Sequence, residues 1–174
     1  MTLDGFCDHT AIVPDEEIHQ HYTELISDAE VIMYGRKTYE LMEFWQPFVK
    51  NPSGEKSMDD FALAIDKIQK MVFSHTLKKV EWESAKLADG SIEDEVLELK
   101  QQSGKGILVG SRSLIIHLIN LNLIDEFQLC VHPVIAGSGL KLFENINDRK
   151  ILKLLKTKTF SGGAVNFYYQ LKTE

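Results

Sequence analysis

Glycine, cationic and hydroxyl residues follow a short apolar run early in this sequence, and their side chains have the chemistry of an anion site. The run at 31–34 is followed directly by Gly35, Arg36, Lys37 and Thr38. Short apolar runs that begin with a β-branched residue are typical of buried strands, and a glycine then allows the backbone to turn sharply. The free N–H groups of a following helix, a planar guanidinium and a hydroxyl all bind phosphate oxygens. The segment therefore predicts a strand end that holds a phosphorylated ligand.

Two later segments have the same composition. One apolar run precedes Ser74 and Thr76, which flank His75, and another precedes Gly110, Ser111, Arg112 and Ser113. Ligands of open α/β sheets bind beyond the carboxyl ends of the strands. A single strand end of this kind is common in ordinary strand-to-helix turns, but three in one small domain favour a nucleotide or dinucleotide site. Phosphate-binding ends that also carry a cation for a 2′-phosphate suit NADPH better than NADH.

The elements that must position these residues alternate between strand and helix. The hydrophobic periodicity predicts strands at 31–34, 70–74, 84–87, 106–109, 127–134, 152–159 and 164–172, and helices at 14–26, 36–44, 59–68, 92–102 and 113–121. The segment from Gln46 to Lys56 contains two prolines and a glycine and is predicted to be a surface loop.

This alternation predicts an α/β fold with a mostly parallel central sheet and helices on both faces. The last two strands flank a Ser161-Gly162-Gly163 turn and are expected to form a C-terminal antiparallel hairpin, which would make the sheet mixed. Residues 1–174 are interpreted as one domain.

The composition limits the possible classes of function. The 174 residues are 44% hydrophobic, which suffices for one well-packed domain, and the net charge of −7 argues against general nucleic-acid binding. No apolar run approaches the roughly 20 residues that span a bilayer, and no signal-peptide pattern is recognisable, so no membrane association and a cytoplasmic location are expected. Cys7 and Cys130 are too few for a disulfide framework or a cysteine-rich zinc site.

Three histidines close to the N-terminus do not form a metal motif. His19 and His21 are two residues apart, which places them on different faces of a helix, and no cysteine accompanies them or His9. The His-x-Glu and Cys-x-x-Cys signature of the zinc deaminases is absent from the sequence as well. We therefore predict no metal site.

The motifs taken together resemble a known family. The segment from Gly35 to Glu40 is similar to the Gly-Arg-x-Thr-aromatic-Glu motif of the dihydrofolate reductases. The wider pattern more closely resembles the C-terminal reductase domain of the riboflavin-biosynthesis protein RibD and its stand-alone relatives. The other matching segments occur in the family's order and span nearly the whole chain, at 3–6, 74–77, 110–114, 123–126, 133–139 and 142–143.

The resemblance implies a dihydrofolate reductase-like fold, NADPH as the hydride donor and a homodimer. By position, the adenosine 2′-phosphate and the pyrophosphate would contact Arg36, Lys37 and Thr38, the adenosine would contact Ser74 and Thr76, and the pyrophosphate would be covered by Gly110, Ser111, Arg112 and Ser113.

On the substrate side, the resemblance implies that Asp4 and Gly5 lie near the nicotinamide and that Gly137 and Gly139 border the same pocket. Dihydrofolate reductases also carry a carboxylate on their first helix that assists protonation of the pterin. Three acids compete for that role here, Asp15, Glu16 and Glu17, and their spacing does not choose among them. Acids in a first helical turn also occur simply because they stabilise it. Asp4 and Glu17 are the candidate catalytic residues.

These observations predict a reductase that transfers a hydride from NADPH to a small heterocycle, such as a pteridine or an aminopyrimidine, or to a carbonyl compound. The resemblance relates it to the riboflavin-biosynthesis 5-amino-6-(5-phosphoribosylamino)uracil reductase. The alternative is a dinucleotide-binding or ligand-sensing protein without catalytic activity. Two observations leave that alternative open. The spacing does not identify the catalytic acid, and the strand that the family has ahead of its Leu-Asp-Gly segment is not recognisable here.

Overall fold

The computed structural model describes residues 1–8, 10, 12, 14–102 and 104–172. The chain divides into two compact units. Residues 16–115 form the first, which we call the parallel-sheet unit, and residues 1–15 with 116–174 form the second, the antiparallel-sheet unit. The interpretation of the whole chain as one domain stays a prediction.

The parallel-sheet unit contains four strands that pair in parallel, in the spatial order β3-β2-β1-β4. The strands are β1 (Ala29–Gly35), β2 (Gln69–Phe73), β3 (Ala85–Leu87) and β4 (Gly106–Val109). The helices are α1 (Glu16–Ser27), α2 (Arg36–Met42), α3 (Gln46–Lys50), α4 (Lys56–Lys67), α5 (Ile92–Gln101) and α6 (Arg112–Asn120), which begins in this unit, and a 3₁₀ turn at Glu43–Trp45 lies between α2 and α3.

The central strand β1 is buried on both faces, as its unbroken apolar run predicts. Ile32 and Tyr34 belong to a core cluster that also contains Ile26 of α1 and Ile65 of α4. Met33 points to the opposite face and has no exposed surface. Each such side chain contributes about 1.5–3 kcal/mol through burial, so β1 is fixed in place by packing on both of its faces.

The antiparallel-sheet unit contains three strands in the order β5-β7-β6. They are β5 (Glu126–Val131), β6 (Leu152–Thr159) and β7 (Val165–Leu171). The predicted hairpin is confirmed: β6 and β7 pair antiparallel across the turn, where Gly163 has a φ of 84° that favours glycine. The N-terminal segment joins this unit through an isolated bridge between Thr2 and His132.

The α/β fold class is confirmed, but two finer predictions are wrong. The hairpin does not extend the parallel sheet into a mixed sheet, because β7 pairs with β5 and the three strands form a sheet of their own. The segment from Gln46 to Lys56 is not a continuous loop, because α3 occupies its first five residues. Pro47 lies at the start of that helix, where its missing N–H costs no hydrogen bond.

None of the helices within the described ranges combines the length and the apolar composition that a membrane span requires. Among the same described residues, no three His, Cys, Asp or Glu side chains are grouped closely enough to hold a metal ion, and His9 lies outside them.

Candidate functional site

The three predicted strand ends lie side by side in the parallel-sheet unit. β1 pairs with β2 on one side and with β4 on the other, and Gly35 is in register with Phe73, the residue before Ser74. The chain runs from β1 to β2 and β3 on one side and then crosses to β4 on the other side of β1. Such a reversal of direction opens a crevice at the carboxyl ends of the strands, where α/β proteins bind ligands.

A hydrogen bond joins two of these ends directly. The backbone N–H of Gly35 donates to Ser111 Oγ at 2.8 Å, and Ser111 is buried. A Cβ atom at Gly35 would lie 3.5 Å from Ser113 Oγ, so the second hydroxyl is close as well. Because Ser111 Oγ accepts the Gly35 N–H, its own O–H can still donate to another group. The starts of α2 and α6 and two hydroxyls therefore meet at one point.

Gly110 serves packing at the end of β4. A Cβ atom there would lie 2.6 Å from Cε1 of Tyr34, a ring that is almost fully buried. Burial also raises the pKa of the Tyr34 hydroxyl, which stays protonated at neutral pH. The glycine lets β4 approach β1 closely, and the Gly110 N–H donates to the carbonyl of Met33 at 3.1 Å.

The predicted cations lie at the start of α2 and are accessible. Arg36 Nη1 forms an ion pair with both carboxylate oxygens of Glu40, at 2.9 and 3.0 Å, and the two side chains are 41% and 43% exposed. Lys37 is exposed and Thr38 is half-buried. Exposed ion pairs contribute little to stability, so the contact with Glu40 acts mainly to orient the guanidinium.

The hydroxyls after β2 form a tight turn. Ser74 Oγ accepts hydrogen bonds from the N–H groups of Thr76 and Leu77, at 3.1 and 2.9 Å, and lies 3.4 Å from the Thr76 hydroxyl. The turn holds both hydroxyls together on the exposed surface. Their contact with the adenosine stays a prediction.

Asp4 lies in the antiparallel-sheet unit and binds the backbone of the glycine-rich loop that contains Gly137. Its carboxylate accepts hydrogen bonds from Thr2 Oγ1 at 2.7 Å, Gly137 N at 2.7 Å and Ala136 N at 3.1 Å. The Thr2 hydroxyl and the Gly137 N–H lower the pKa of Asp4 to about 2. Asp4 is therefore ionised at neutral pH, and donating a proton is not a task that this geometry favours.

The other predicted substrate-side residues are divided between the units. Gly5 and Gly139 lie in the antiparallel-sheet unit, and both have a positive φ, 90° and 135°. The added Cβ at Gly139 would collide with the carboxylate of Asp8, which accepts the Leu140 N–H at 2.6 Å. Glu17 lies in the first turn of α1, in the parallel-sheet unit, and is half-buried. The catalytic and substrate-binding roles of these residues stay predictions.

Sequence reasoning did not identify a buried polar network beside β2. Lys70 is 1% exposed and donates from Nζ to the carbonyl of Ile68 at 2.9 Å and to Ser84 Oγ at 2.6 Å. The ammonium lies 4.1 Å above the ring of Trp82, whose Nε1 donates to Asp66 at 2.7 Å. A lysine in an otherwise apolar strand was the signal in the sequence that could have revealed this network.

A comparison with known families decides the relationship of this chain. The model of the RibD C-terminal domain matches residues 1–166. The chain belongs to the RibD C-terminal domain family. The resemblance inferred from the motifs is thereby confirmed.

Two curated relatives of this RibD-family chain come from Bacillus subtilis (strain 168). It is 37% identical over 177 residues to the uncharacterized protein YyaP, covering 97% of this chain and 90% of YyaP. It is 28% identical over 149 residues to the uncharacterized protein YwjB, covering 85% of this chain and 77% of YwjB.

Solved structures share the fold at low sequence identity. A protein titled "Putative riboflavin biosynthesis protein" from Shewanella sp. PV-4 matches with a TM-score of 0.72 at 16% identity, over 99% of this chain and 95% of that one. A pyrimidine reductase-like protein from Corynebacterium diphtheriae gives 0.64 at 12% identity, over 99% and 89%. Acinetobacter baumannii RibD gives 0.65 at 11% identity, and this chain covers 56% of it. These likenesses confirm the predicted dihydrofolate reductase-like fold.

Proposed function

We propose that this chain is an NADPH-dependent reductase that transfers a hydride to a small heterocyclic or carbonyl substrate. The observation that carries the proposal is the alignment of three polar strand ends around β1, joined by the hydrogen bond from Gly35 to Ser111. Membership of the RibD C-terminal domain family supports the same activity.

The groups at the strand ends fit a phosphorylated dinucleotide. Hydroxyls, the N–H groups at helix starts and an exposed guanidinium are all donors, as an anionic ligand requires. In this proposal Arg36 and Lys37 hold the 2′-phosphate, Ser111 and Ser113 hold the pyrophosphate, and the turn at Ser74 holds the adenosine. When bound, NADPH supplies the hydride, and the protein contributes binding and orientation.

The remaining work of the chain is positioning. Glu40 orients the guanidinium of Arg36, and the Gly35 N–H fixes the hydroxyl of Ser111 before any ligand arrives. Pre-ordered groups bind without a further loss of side-chain entropy, so they strengthen binding more than mobile ones do. Asp4 stays ionised and orders the loop that contains Gly137.

The relatives support one class of substrate. One structural relative is described as a "Putative riboflavin biosynthesis protein" and another as a pyrimidine reductase-like protein, and both descriptions support a nitrogen heterocycle as the substrate. We also propose that the chain acts as a cytoplasmic homodimer on a small molecule, as the family resemblance implies.

The test is a fluorescence titration with NADPH, followed by assays of NADPH oxidation with pteridines, aminopyrimidines and simple carbonyl compounds. Saturable binding and turnover of at least one class are expected. Absence of saturable binding at high micromolar protein would contradict the proposal.

A second candidate function is a dinucleotide-binding protein without catalysis. The observation that favours it is the state of Asp4, a predicted catalytic residue that is ionised and engaged by three hydrogen-bond donors. Saturable NADPH binding without turnover of any of these compounds would favour this second candidate.

A further inference from the structure

The hydroxyl of Tyr39 connects α2 to the segment between β2 and β3, which lies far from it in sequence. Its oxygen accepts hydrogen bonds from the backbone N–H groups of Glu81 and Trp82, at 3.2 and 3.3 Å. These residues follow Tyr39 by 42 and 43 positions. The Tyr39 side chain is 2% exposed; its hydrogen bond with Trp82 is buried, and the one with Glu81 is partly buried.

The phenol is itself held in place. Burial and the carboxylate of Glu43, one helical turn further on, both raise the pKa of Tyr39. The hydroxyl therefore stays protonated and accepts from Glu81 and Trp82. A phenylalanine would fill the same space but would leave two backbone donors without this acceptor, and this is costly for the buried N–H of Trp82.

The segment that Tyr39 holds begins at one of the ligand-binding strand ends. It runs from the turn at Ser74 to Trp82 and connects β2 to β3. Trp82 anchors its far end, because the indole donates to Asp66 and lies beneath the ammonium of Lys70. Tyr39 thus joins this segment to the helix that begins with Arg36.

We propose that Tyr39 is a positioning residue for the dinucleotide, one that keeps the hydroxyls of Ser74 and Thr76 at a fixed distance from Arg36 and Lys37. The inference rests on the proposed function. The two hydroxyls and the two cations bind neighbouring parts of the same ligand in this proposal. A variable distance between them therefore lowers the affinity for that ligand. Tyr39 itself makes no contact with the ligand in this proposal.

The position of this contact predicts a specific pattern of cofactor binding. Arg36 reads the 2′-phosphate, so its loss affects NADPH far more than NADH. Tyr39 positions the adenosine side, which both dinucleotides share, so its loss affects the two equally. This contrast distinguishes a positioning residue from a residue that reads the phosphate.

The experiment compares Tyr39→Phe with the wild-type protein in NADPH and NADH titrations and in amide hydrogen exchange. We expect both dinucleotides to bind about five- to twentyfold more weakly, by the same factor, because the hydroxyls of Ser74 and Thr76 would no longer be held in place before binding. Exchange should accelerate at Glu81 and Trp82, and KM for NADPH should rise while kcat stays within about twofold. Val96→Ala, which removes buried side-chain volume from α5 in the same unit, is the matched control for lost stability and should leave both affinities unchanged.

The possible failures are distinguishable. Faster exchange at residues 81 and 82 with unchanged dinucleotide affinity would overturn the positioning role alone. Unchanged exchange would also overturn it, because the hydrogen bonds would then not order the segment. If the wild-type protein binds neither dinucleotide, the proposed function fails and this inference fails with it. An equal loss of affinity in Val96→Ala would reduce Tyr39 to a contributor to stability.

Discussion

The backbone N–H of Gly35 donates a 2.8 Å hydrogen bond to Ser111 Oγ, a side chain 76 residues further along the chain. Through this contact the carboxyl ends of β1 and β4 are held together at the point where α2 and α6 begin. The same hydroxyl lies where the proposed pyrophosphate binds. One serine therefore holds the two strands together and, in the proposed function, also contacts the ligand.

We expect Ser111→Ala to lower the free energy of unfolding by about 1–3 kcal/mol, because it leaves the Gly35 N–H without its acceptor. It should also weaken NADPH binding. Urea denaturation and fluorescence titration measure the two effects. Ser113→Ala is the matched control: the residue is exposed, so it should change stability by less than about 0.5 kcal/mol but still weaken binding. Equal stability losses in the two variants would contradict the structural role of Ser111.

Arg36→Ala should weaken NADPH binding by about tenfold to a hundredfold, since hydrogen bonds to charged groups are strong. NADH binding should change by less than about threefold, because NADH lacks the 2′-phosphate. Stability should hardly change, since the ion pair with Glu40 is exposed. Parallel titrations with the two dinucleotides measure the difference, and Arg149→Ala, a change in the antiparallel-sheet unit, is the control. A parallel loss for both dinucleotides would show that Arg36 does not read the 2′-phosphate.

Gly110→Ala should destabilise the protein by about 1–3 kcal/mol, because the new methyl group would be forced against the buried ring of Tyr34. Gly106→Ala is a matched control in the same strand, since a Cβ atom there meets no atom within 4 Å. Thermal and urea denaturation of the two variants provide the test. If the two changes have the same effect, the close approach of Gly110 to Tyr34 does not constrain the strand pair.

The carboxyl of Asp4 should titrate with a pKa of about 2 in an NMR experiment, below its ordinary value of 3.8. A group with a lowered pKa stabilises the folded state above its unfolded pKa and loses this effect as the pH falls through its folded pKa. The order of the Gly137 loop should therefore be constant at neutral pH and decrease only toward pH 2. Thr2→Ala removes the largest cause of the shift and should raise the pKa. An ordinary Asp4 pKa in both proteins would contradict the hydrogen bonds between Asp4 and the Gly137 loop.

Lys70 should make stability depend on pH in alkaline solution. Burial lowers its pKa to about 8 from 10.5, so between these values the unfolded chain binds more protons than the folded one. Stability should therefore rise as the pH increases from 8 to 10.5, with a slope of at most about 1.4 kcal/mol per pH unit from this residue. Urea denaturation across that range, compared with Lys70→Met, isolates the contribution. Identical pH dependence in the two proteins would show that Lys70 titrates normally.

The hydrophobic pattern of the sequence was sufficient to predict most strands and helices of the parallel-sheet unit, because each element carries its own period. It also predicted which strand ends bear polar groups. It did not predict that β7 forms a separate sheet with β5 instead of extending the parallel sheet, because strand pairing depends on which strands lie next to each other in the fold. The sequence also did not predict α3. Proline and glycine residues in 47–54 are equally typical of a loop and of a helix start followed by a turn.

Within the candidate site, the residue types were predictable but their contacts were not. The link from Gly35 to Ser111 and the link from Tyr39 to Trp82 both join residues that are far apart in sequence. Such contacts depend on how neighbouring strands and helices are placed in space, and no short-range pattern encodes them. The role of Asp4 shows the same limit, because its pKa depends on N–H groups more than 130 residues away.

Because β1 is buried on both faces, packing restricts its residues much more than the residues that follow it. Positions 31–34 are confined by the tightly packed core, whereas Arg36 and Lys37, at the end of the same strand, face few steric restrictions. Mutations at those two surface positions can accumulate without loss of the fold. In the proposed function these two positions read the 2′-phosphate, so substitutions there would change the preference between NADPH and NADH while the architecture stays the same.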